Sequence, residues 1–375
     1  MKNLFRLNEI LIITLLLIFL NSCKTENENR IKKDKLSGCV QKGPFINGTT
    51  IQMYELNSSL NQTGKDFSTQ ITDNGGSFEI NDVELSSQFV EFLASGYYFN
   101  EITGNISPSV LSLYALSDIT DISTVNVNIL THLEKSRVEY LIGKGKAFSE
   151  AKDTAQKEVL AIFSFPVQDM DNSEMLDISV NKEENAILLA ISIILQGNRT
   201  TGDLTELLAN ISNDIQQDGK LNDQNILTQL RNSAEILDLP EIRFNLEKRY
   251  QDLGISATIP DFEKYIIDFL SSVGSKPTVV TQPADNLTST TALLHGLVNA
   301  NNLSTVVSFE YGTNDTYDHS SPAVESPVTG NLNTQLQDTI PSLTKNTLYH
   351  FRVKAVNFIG TSYGSDLTFT TLNTK

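Results

Sequence analysis

Leu343-Thr344-Lys345-Asn346-Thr347-Leu348-Tyr349-His350-Phe351-Arg352-Val353-Lys354-Ala355 is the stretch that decides the fold of the C-terminal hundred residues. Its first half is polar turn chemistry, and its second half alternates. Successive side chains of a strand point to opposite faces, so Phe351, Val353 and Ala355 share an inward face while His350, Arg352 and Lys354 point outward. Upstream, Thr291-Ala292-Leu293-Leu294-His295-Gly296-Leu297-Val298-Asn299 and Phe309-Glu310-Tyr311-Gly312 read as two more strands. Gly274-Ser275-Lys276-Pro277 marks where this β period begins.

These three segments together resemble a fibronectin type III domain, an immunoglobulin-like β-sandwich. The resemblance implies that residues 291–299 are its second strand and 309–312 its third. It also implies a tyrosine corner, with the Tyr349 hydroxyl bonding back to the chain upstream. The tryptophan common in animal members is absent, and no Arg-Gly-Asp tripeptide occurs, so no animal receptor function is carried over.

Before Gly274 the period is helical. Ile129, Leu130, Leu133, Arg137, Leu141 and Ile142 recur at helical spacing up to Gly143 and Gly145. A second helix is predicted from Ser149 to Phe165, stopped by Pro166, and a third near Lys182 to Gln196. The third is apolar on all faces through Ala186-Ile187-Leu188-Leu189-Ala190-Ile191, so it reads as the buried centre of a bundle. Leu204, Leu207, Leu208, Ile211 and Ile215 form one amphipathic stripe, and Ile226, Leu227, Leu230, Ala234 and Leu237 another. Two more helices are predicted from Pro240 to Leu253 and from Pro260 to Val273, each with proline in the first turn and glycine just beyond the end. About seven helices indicate an irregular α-helical bundle.

From Ser37 to Leu116 short alternating runs recur: Thr50-Ile51-Gln52-Met53-Tyr54, Phe67-Ser68-Thr69-Gln70-Ile71, Ser77-Phe78-Glu79-Ile80 and Phe89-Val90-Glu91-Phe92-Leu93. They predict a small β-sandwich, with Asp73-Asn74-Gly75-Gly76 as a hairpin turn because Asn and Gly accept positive φ. Gly38-Cys39-Val40-Gln41-Lys42-Gly43-Pro44-Phe45 and Asn74-Gly75-Gly76-Ser77-Phe78 resemble the carboxypeptidase-regulatory-like, transthyretin-type sandwich of exported bacterial proteins. The resemblance implies a spacer or interaction module and no peptidase. Gly96-Tyr97-Tyr98-Phe99-Asn100-Glu101, the most aromatic cluster, is read as packing rather than a ligand platform.

At the start, Lys2 and Arg6 precede the apolar run Ile10 to Leu20, which ends in Leu20-Asn21-Ser22-Cys23. A run of about eleven residues rises about 16 Å as a helix, roughly half the hydrocarbon thickness of a bilayer, so it reads as an export signal rather than a span. The arrangement resembles the bacterial lipoprotein signal, which implies that Cys23 is acylated and becomes the mature N-terminus. Cys39 then has no partner and reads as a small strand residue.

Composition narrows the function classes. With 28 basic against 45 acidic side chains the net charge is -17, unsuited to nucleic acid, whose phosphates call for clustered Lys and Arg. The four histidines, His132, His295, His319 and His350, fall on a helix, two strands and a loop, and no pair has metal-ligand spacing. No nucleophile elbow, HExxH or phosphate loop occurs. Asp214-Ile215-Gln216-Gln217-Asp218-Gly219-Lys220-Leu221-Asn222-Asp223-Gln224-Asn225 echoes an EF-hand calcium loop, but Gln216 and Asn225 replace charged ligands and the closing glutamate is missing. It is read as a polar turn capped by Gly219. Asp169, Asp171 and Glu174 lack even the glycine. Leu293 and Leu297, facing away from the sandwich core, are candidates for contact with the helical region.

The expected organisation is multidomain α+β: signal peptide 1–22, flexible tether 23–36, β-sandwich 37–117, α-helical domain 118–274 and fibronectin type III domain 275–375. The expected protein is held on the bacterial outer membrane by lipid at Cys23, on the cell surface or the periplasmic face. It binds a protein or glycan without catalysis, with no cofactor and no metal. Two alternatives stay open: a hydrolase of polysaccharide or peptide acting through the helical domain, and a calcium-dependent adhesion protein.

Overall fold

The computed structural model describes residues 30–165 and 170–373; the lipidation site Cys23 and the signal lie outside the described residues. Nine strands come first: β1 Ile31–Gln41, β2 Thr50–Leu56, β3 Gln62–Gln70, β4 Ser77–Leu85, β5 Phe89–Gly96, β6 Phe99–Asn100, β7 Asn105–Ile106, β8 Leu111–Asp118 and β9 Val127–Asn128. Seven α-helices follow among the described residues: α1 Ile129–Gly143, α2 Phe148–Ile162, α3 Glu183–Gln196, α4 Thr201–Ile215, α5 Gln224–Glu235, α6 Leu239–Asp252 and α7 Glu263–Val273. The chain closes with β10 Thr278–Asp285, β11 Ala292–Asn299, β12 Val306–Gly312, β13 His319–Pro322, β14 Asn333–Ile340, β15 Leu348–Asn357, β16 Gly360–Tyr363 and β17 Leu367–Thr370. No helix among the described residues is long and apolar enough to cross a membrane.

The N-terminal strands form two main sheets, β4-β1-β9 and β3-β2-β5-β8. The segment expected as tether up to residue 36 is already strand from Ile31, because Ile31 to Cys39 run antiparallel to Leu85 to Ser77. The turn at Asp73–Gly76 is real, but it is not a hairpin. β3 pairs with β2 while β4 pairs with β1, so the turn carries the chain between sheets. Asp73 Oδ1 fixes it by accepting from the Gly75 and Gly76 amides at 2.9 and 3.0 Å. Gly38 is needed for close approach: a Cβ there would stand 1.9 Å from the Val125 carbonyl oxygen. β3 is the terminal strand of its sheet, and its residues Gln62 to Asp66 are all exposed.

The helices begin where their caps sit. Asn128 and Thr131 make a reciprocal capping box at α1, Thr200 and Asp203 another at α4, and Asp223 and Asp238 cap α5 and α6. The last helix starts at Glu263, three residues after the expected Pro260, and α2 ends at Ile162, where Ser164 turns to a φ of 58°. In α3 every residue from Asn185 to Gln196 is buried, as an apolar run without a polar face demands.

A boundary expected at 117/118 does not divide the core. Leu36, Ile51, Phe92 and Leu113 of the strands share one buried cluster with Leu130, Leu160, Ile191, Leu208 and Phe269 of the helices. A smaller cluster joins Leu56 and Leu116 of the sheet to Val138, Leu141, Ala151 and Ala155 of α1 and α2. Strands and helices therefore bury these faces against one another across the expected boundary.

The C-terminal strands have their own core, including Leu294, Phe309, Leu336, Tyr349, Phe351, Val353 and Phe369. Sheet β10-β11-β14 faces sheet β13-β12-β15-β16, with β17 continuing the pairing along β15. This is a fibronectin type III-like sandwich, and the tyrosine corner is present: the Thr344 amide donates to the Tyr349 hydroxyl at 3.0 Å. Tyr349→Phe should therefore cost about 1 kcal/mol in a urea unfolding experiment on this domain. Contact with the helical part does not use Leu293 or Leu297. It runs through Leu303, fully buried in the larger core, with Phe358 and Ile359 packed beside it, and the Ser304 amide donates to Glu235 at 2.9 Å. Leu303 sits in a loop that strand alternation does not reach.

Candidate functional site

On β15 the outward residues are Leu348, His350, Arg352, Lys354 and Val356, as alternation requires. Register builds rows across the sheet: Val306 opposite Val356, Ser308 opposite Lys354 with Tyr363 beyond it, and Glu310 opposite Arg352. The Arg352 guanidinium lies 4.3 Å from the centroid of the Tyr317 ring and 4.1 Å from that of Tyr363. Its Nε and Nη2 both donate to Glu310 Oε2, at 3.0 and 2.8 Å. Lys354 pairs with the other oxygen of Glu310 at 3.0 Å. Tyr317 donates to Asp366 at 2.9 Å, and His350 Nδ1 lies 2.8 Å from the second Asp366 oxygen.

The electrostatics follow from these contacts. Partial burial pushes the Glu310 carboxyl up, but hydrogen bonds from Arg352 and Lys354 outweigh it and hold the group below the usual carboxylate range. The Tyr317 phenol is pushed up to about 12 by burial and then by Asp366. Cations and carboxylates alternate, so the platform presents aromatic rings beside charges of both signs rather than a field of one sign. Tyr363 is 49% exposed, and Val306 at 61% adds an apolar margin.

The other singled-out residues are placed as follows. Cys39 is a free, buried thiol on β1; burial, with Asp177 and Asp73 adding to it, pushes its pKa well up, and it donates to Asn126 Oδ1 at 3.2 Å. His132 on α1 is pushed down to about 4 by burial and then by Lys135, so it is neutral. His295 lies 3.0 Å from Asp285. His319, expected in a loop, opens the edge strand β13 and packs on Tyr311 at 5.3 Å. The structure brings none of the four together: the Tyr114 ring packs against His132, and the other three sit at separate strand positions. Tyr98, Phe99 and Glu101 of the aromatic cluster are buried, and Tyr97 alone is exposed.

Among the described residues no group of three or more His, Cys, Asp or Glu is placed to hold a metal ion. In the Asp214 to Asn225 loop, Asp214 accepts from the Asn222 and Asp223 amides at 2.5 and 3.1 Å, and Asp218 from the Lys220 amide at 3.0 Å. Arg137 places its guanidinium on the Gln216 and Gln217 carbonyls, at 3.1 and 2.6 Å. Gly219 has a φ of 74°, and a Cβ there would stand 2.1 Å from the Glu158 carboxyl carbon. Asp214→Ala should cost about 1 kcal/mol in thermal unfolding, by the same amount with calcium or with chelator. A loss that appears only when calcium is present would reverse this reading of the loop.

Asp169 lies outside the described residues, Asp171 pairs with Lys182 at 3.3 Å, and Glu174 is buried. Carboxylates do converge in the helical part, but out of solvent: Glu134 and Glu174 each sit 2.9 Å from Lys152, and all three side chains are at most 5% exposed. A cavity of about 500 Å³ is lined by Glu79, Asp171, Asp177, Cys39 and Asn126. Its carboxylates are already engaged, Glu79 by Lys35, Asp171 by Lys182 and Asp177 by Gln41. Sequence reading missed these buried pairs and the Tyr317–Arg352–Tyr363 stack. Strand register and the loop that carries Tyr317 bring the stack together, and the one signal for it was Arg352 on an outward face.

No family model matches this chain, and no curated protein does. Among solved structures, the sensor domain of the anti-sigma factor RsgI4 from Pseudobacteroides cellulosolvens is 27% identical, covering 26% of this chain and 92% of that one with a TM-score of 0.21. The sixth fibronectin type III domain of human fibronectin type III domain containing protein 3 is 14% identical, covering 27% and 89% with a TM-score of 0.19. A fibronectin type III domain derived from the human KIAA0970 protein is also 14% identical, covering 32% and 88% with a TM-score of 0.20.

Proposed function

We propose that this chain is a lipid-anchored protein of the bacterial cell envelope that binds a protein or glycan partner without catalysis, through the outer face of its C-terminal sheet. The observation that carries this reading is the Tyr317–Arg352–Tyr363 stack. Arg and Tyr dominate binding energy at protein interfaces, and here Glu310 and Asp366 hold them in place before any partner arrives. Pre-organisation lowers the entropy lost on binding. Flat aromatic surfaces beside fixed donors suit a sugar ring or a peptide backbone. The anchor rests on Lys2, Arg6, the apolar run and Leu20-Asn21-Ser22-Cys23, and the non-catalytic part of the reading is supported by the pairing of Glu79, Asp171 and Asp177 around the cavity and by the separation of the four histidines.

Two measurements test the reading. In binding to envelope proteins and glycan arrays, an Arg352→Ala/Tyr363→Ala double variant should lose at least about tenfold in affinity, a typical cost for hot-spot residues. Unchanged binding by the double variant would remove the surface from consideration. In cells, Cys23→Ala should move the protein from the membrane fraction to the soluble one. Protease cleavage of the C-terminal domain on intact cells would put it outside, whereas protection until the outer membrane is opened would indicate a periplasmic partner.

A further inference from the structure

Lys42 follows β1 directly, and Glu101 follows β6. Their side chains meet with Nζ 2.5 Å from Oε1, and neither exposes any surface. The surroundings are apolar and aromatic: Phe45, Tyr98 and Phe99 are buried with them, and the amine stands 5.4 Å from the centroid of the Tyr98 ring. Two ions removed from water need every remaining polar atom satisfied, and this pair falls short. Glu101 Oε2 is buried with no hydrogen-bond partner. Burial drives the Lys42 amine toward its neutral form more strongly than Glu101 opposes it. Such an arrangement has a high effective concentration of amine and carboxyl, because both are held by rigid backbone.

We infer that Lys42 and Glu101 become joined by an amide cross-link between Nζ and the Glu101 side-chain carboxyl carbon. The ammonium passes a proton to Oε1, and the neutral amine then attacks the carboxyl carbon, one bond beyond the oxygen it already touches. A C–N bond forms, the C–Oε1 bond breaks, and the departing hydroxyl takes a second proton from the nitrogen and leaves as water. Ammonium plus carboxylate thus becomes amide plus water, with no oxidant or reductant. The Ser192 hydroxyl, 3.5 Å from Oε1 and donating to the Lys42 carbonyl at 2.6 Å, stands where a proton relay is needed. The product resolves the defect in the ion pair: Oε2 ends as the oxygen of a neutral amide, and leaving that unpaired is far less costly than leaving a carboxylate oxygen unpaired.

The test is a tryptic peptide map of the purified full chain, denatured before digestion and read by tandem mass spectrometry. A branched peptide joining the Lys42 and Glu101 segments, lighter by one water than the two linear peptides together, is the expected result. Trypsin should not cut after Lys42 in that material. Lys42→Arg keeps a cation opposite Glu101 but cannot form this amide, so its map should contain linear peptides only. Cleavage after Lys42 and an unmodified Glu101 peptide in the wild-type map would overturn the inference. That readout needs no variant to fold.

Discussion

Lys152→Met is expected to cost about 3–5 kcal/mol at neutral pH, because it leaves Glu134 and Glu174 buried without a counter-charge. Lys152 is 5% exposed and lies 2.9 Å from each carboxylate; Ser173 supplies one more donor to Glu134. Burial already raises the Glu134 pKa even with Lys152 beside it, so removing the cation raises it further. A carboxyl with a raised folded pKa loses stability as pH rises above its unfolded value, roughly 4, and regains it on acidification. The variant should therefore unfold more readily in urea at neutral pH than near pH 4 to 5, by a margin the wild type lacks. A further change of Glu134 and Glu174 to glutamine should restore much of the loss. Wild-type stability of the single variant at neutral pH would show that the cluster is solvated.

The second large effect concerns where the chain can be cut. A fragment ending at residue 117 should show no cooperative unfolding transition, whereas residues 275–373 alone should unfold cooperatively. The first fragment would expose Leu113 and Leu116, together with the strand residues that share a core with α1 and α2. The second keeps its entire cluster around Phe309 and Phe351 and loses the contacts made by Leu303, Phe358, Ile359 and the Ser304 amide. Circular dichroism during urea titration distinguishes the two outcomes. A cooperative transition in the first fragment would mean that the sheets bury enough of themselves without the helices.

Much of this architecture was legible from periodicity. The helical stripes gave seven helices with ends within about three residues, and the alternation around Tyr349 gave the strand, while its corner came from the resemblance to fibronectin type III domains. What periodicity could not supply was partnership. Asp73–Gly76 reads as a turn, yet nothing local says that the strand after it joins β1 in another sheet. Lys42 and Glu101 are 59 residues apart, and each alone reads as a surface charge, since lysine and glutamate are seldom buried unpaired. Arg352 read correctly as outward, but Tyr317 and Tyr363 reach it only through register and through a loop with Tyr317 at a φ of 51°. The shared core was hidden for the same reason: a change of period marks a change of element, not a change of folding unit.

The polar terminal strand β3 bears on life at high density. Proteins tethered to one membrane, as proposed here, meet their neighbours at a two-dimensional concentration that favours polymerisation through any open sheet edge. An apolar edge would recruit the same strand of the next molecule. Gln62-Thr63-Gly64-Lys65-Asp66 instead offers charges and a glycine, and the register shift between Tyr54 and Leu56 interrupts the ladder behind it. This edge therefore gives a crowded neighbour no apolar strand to pair with.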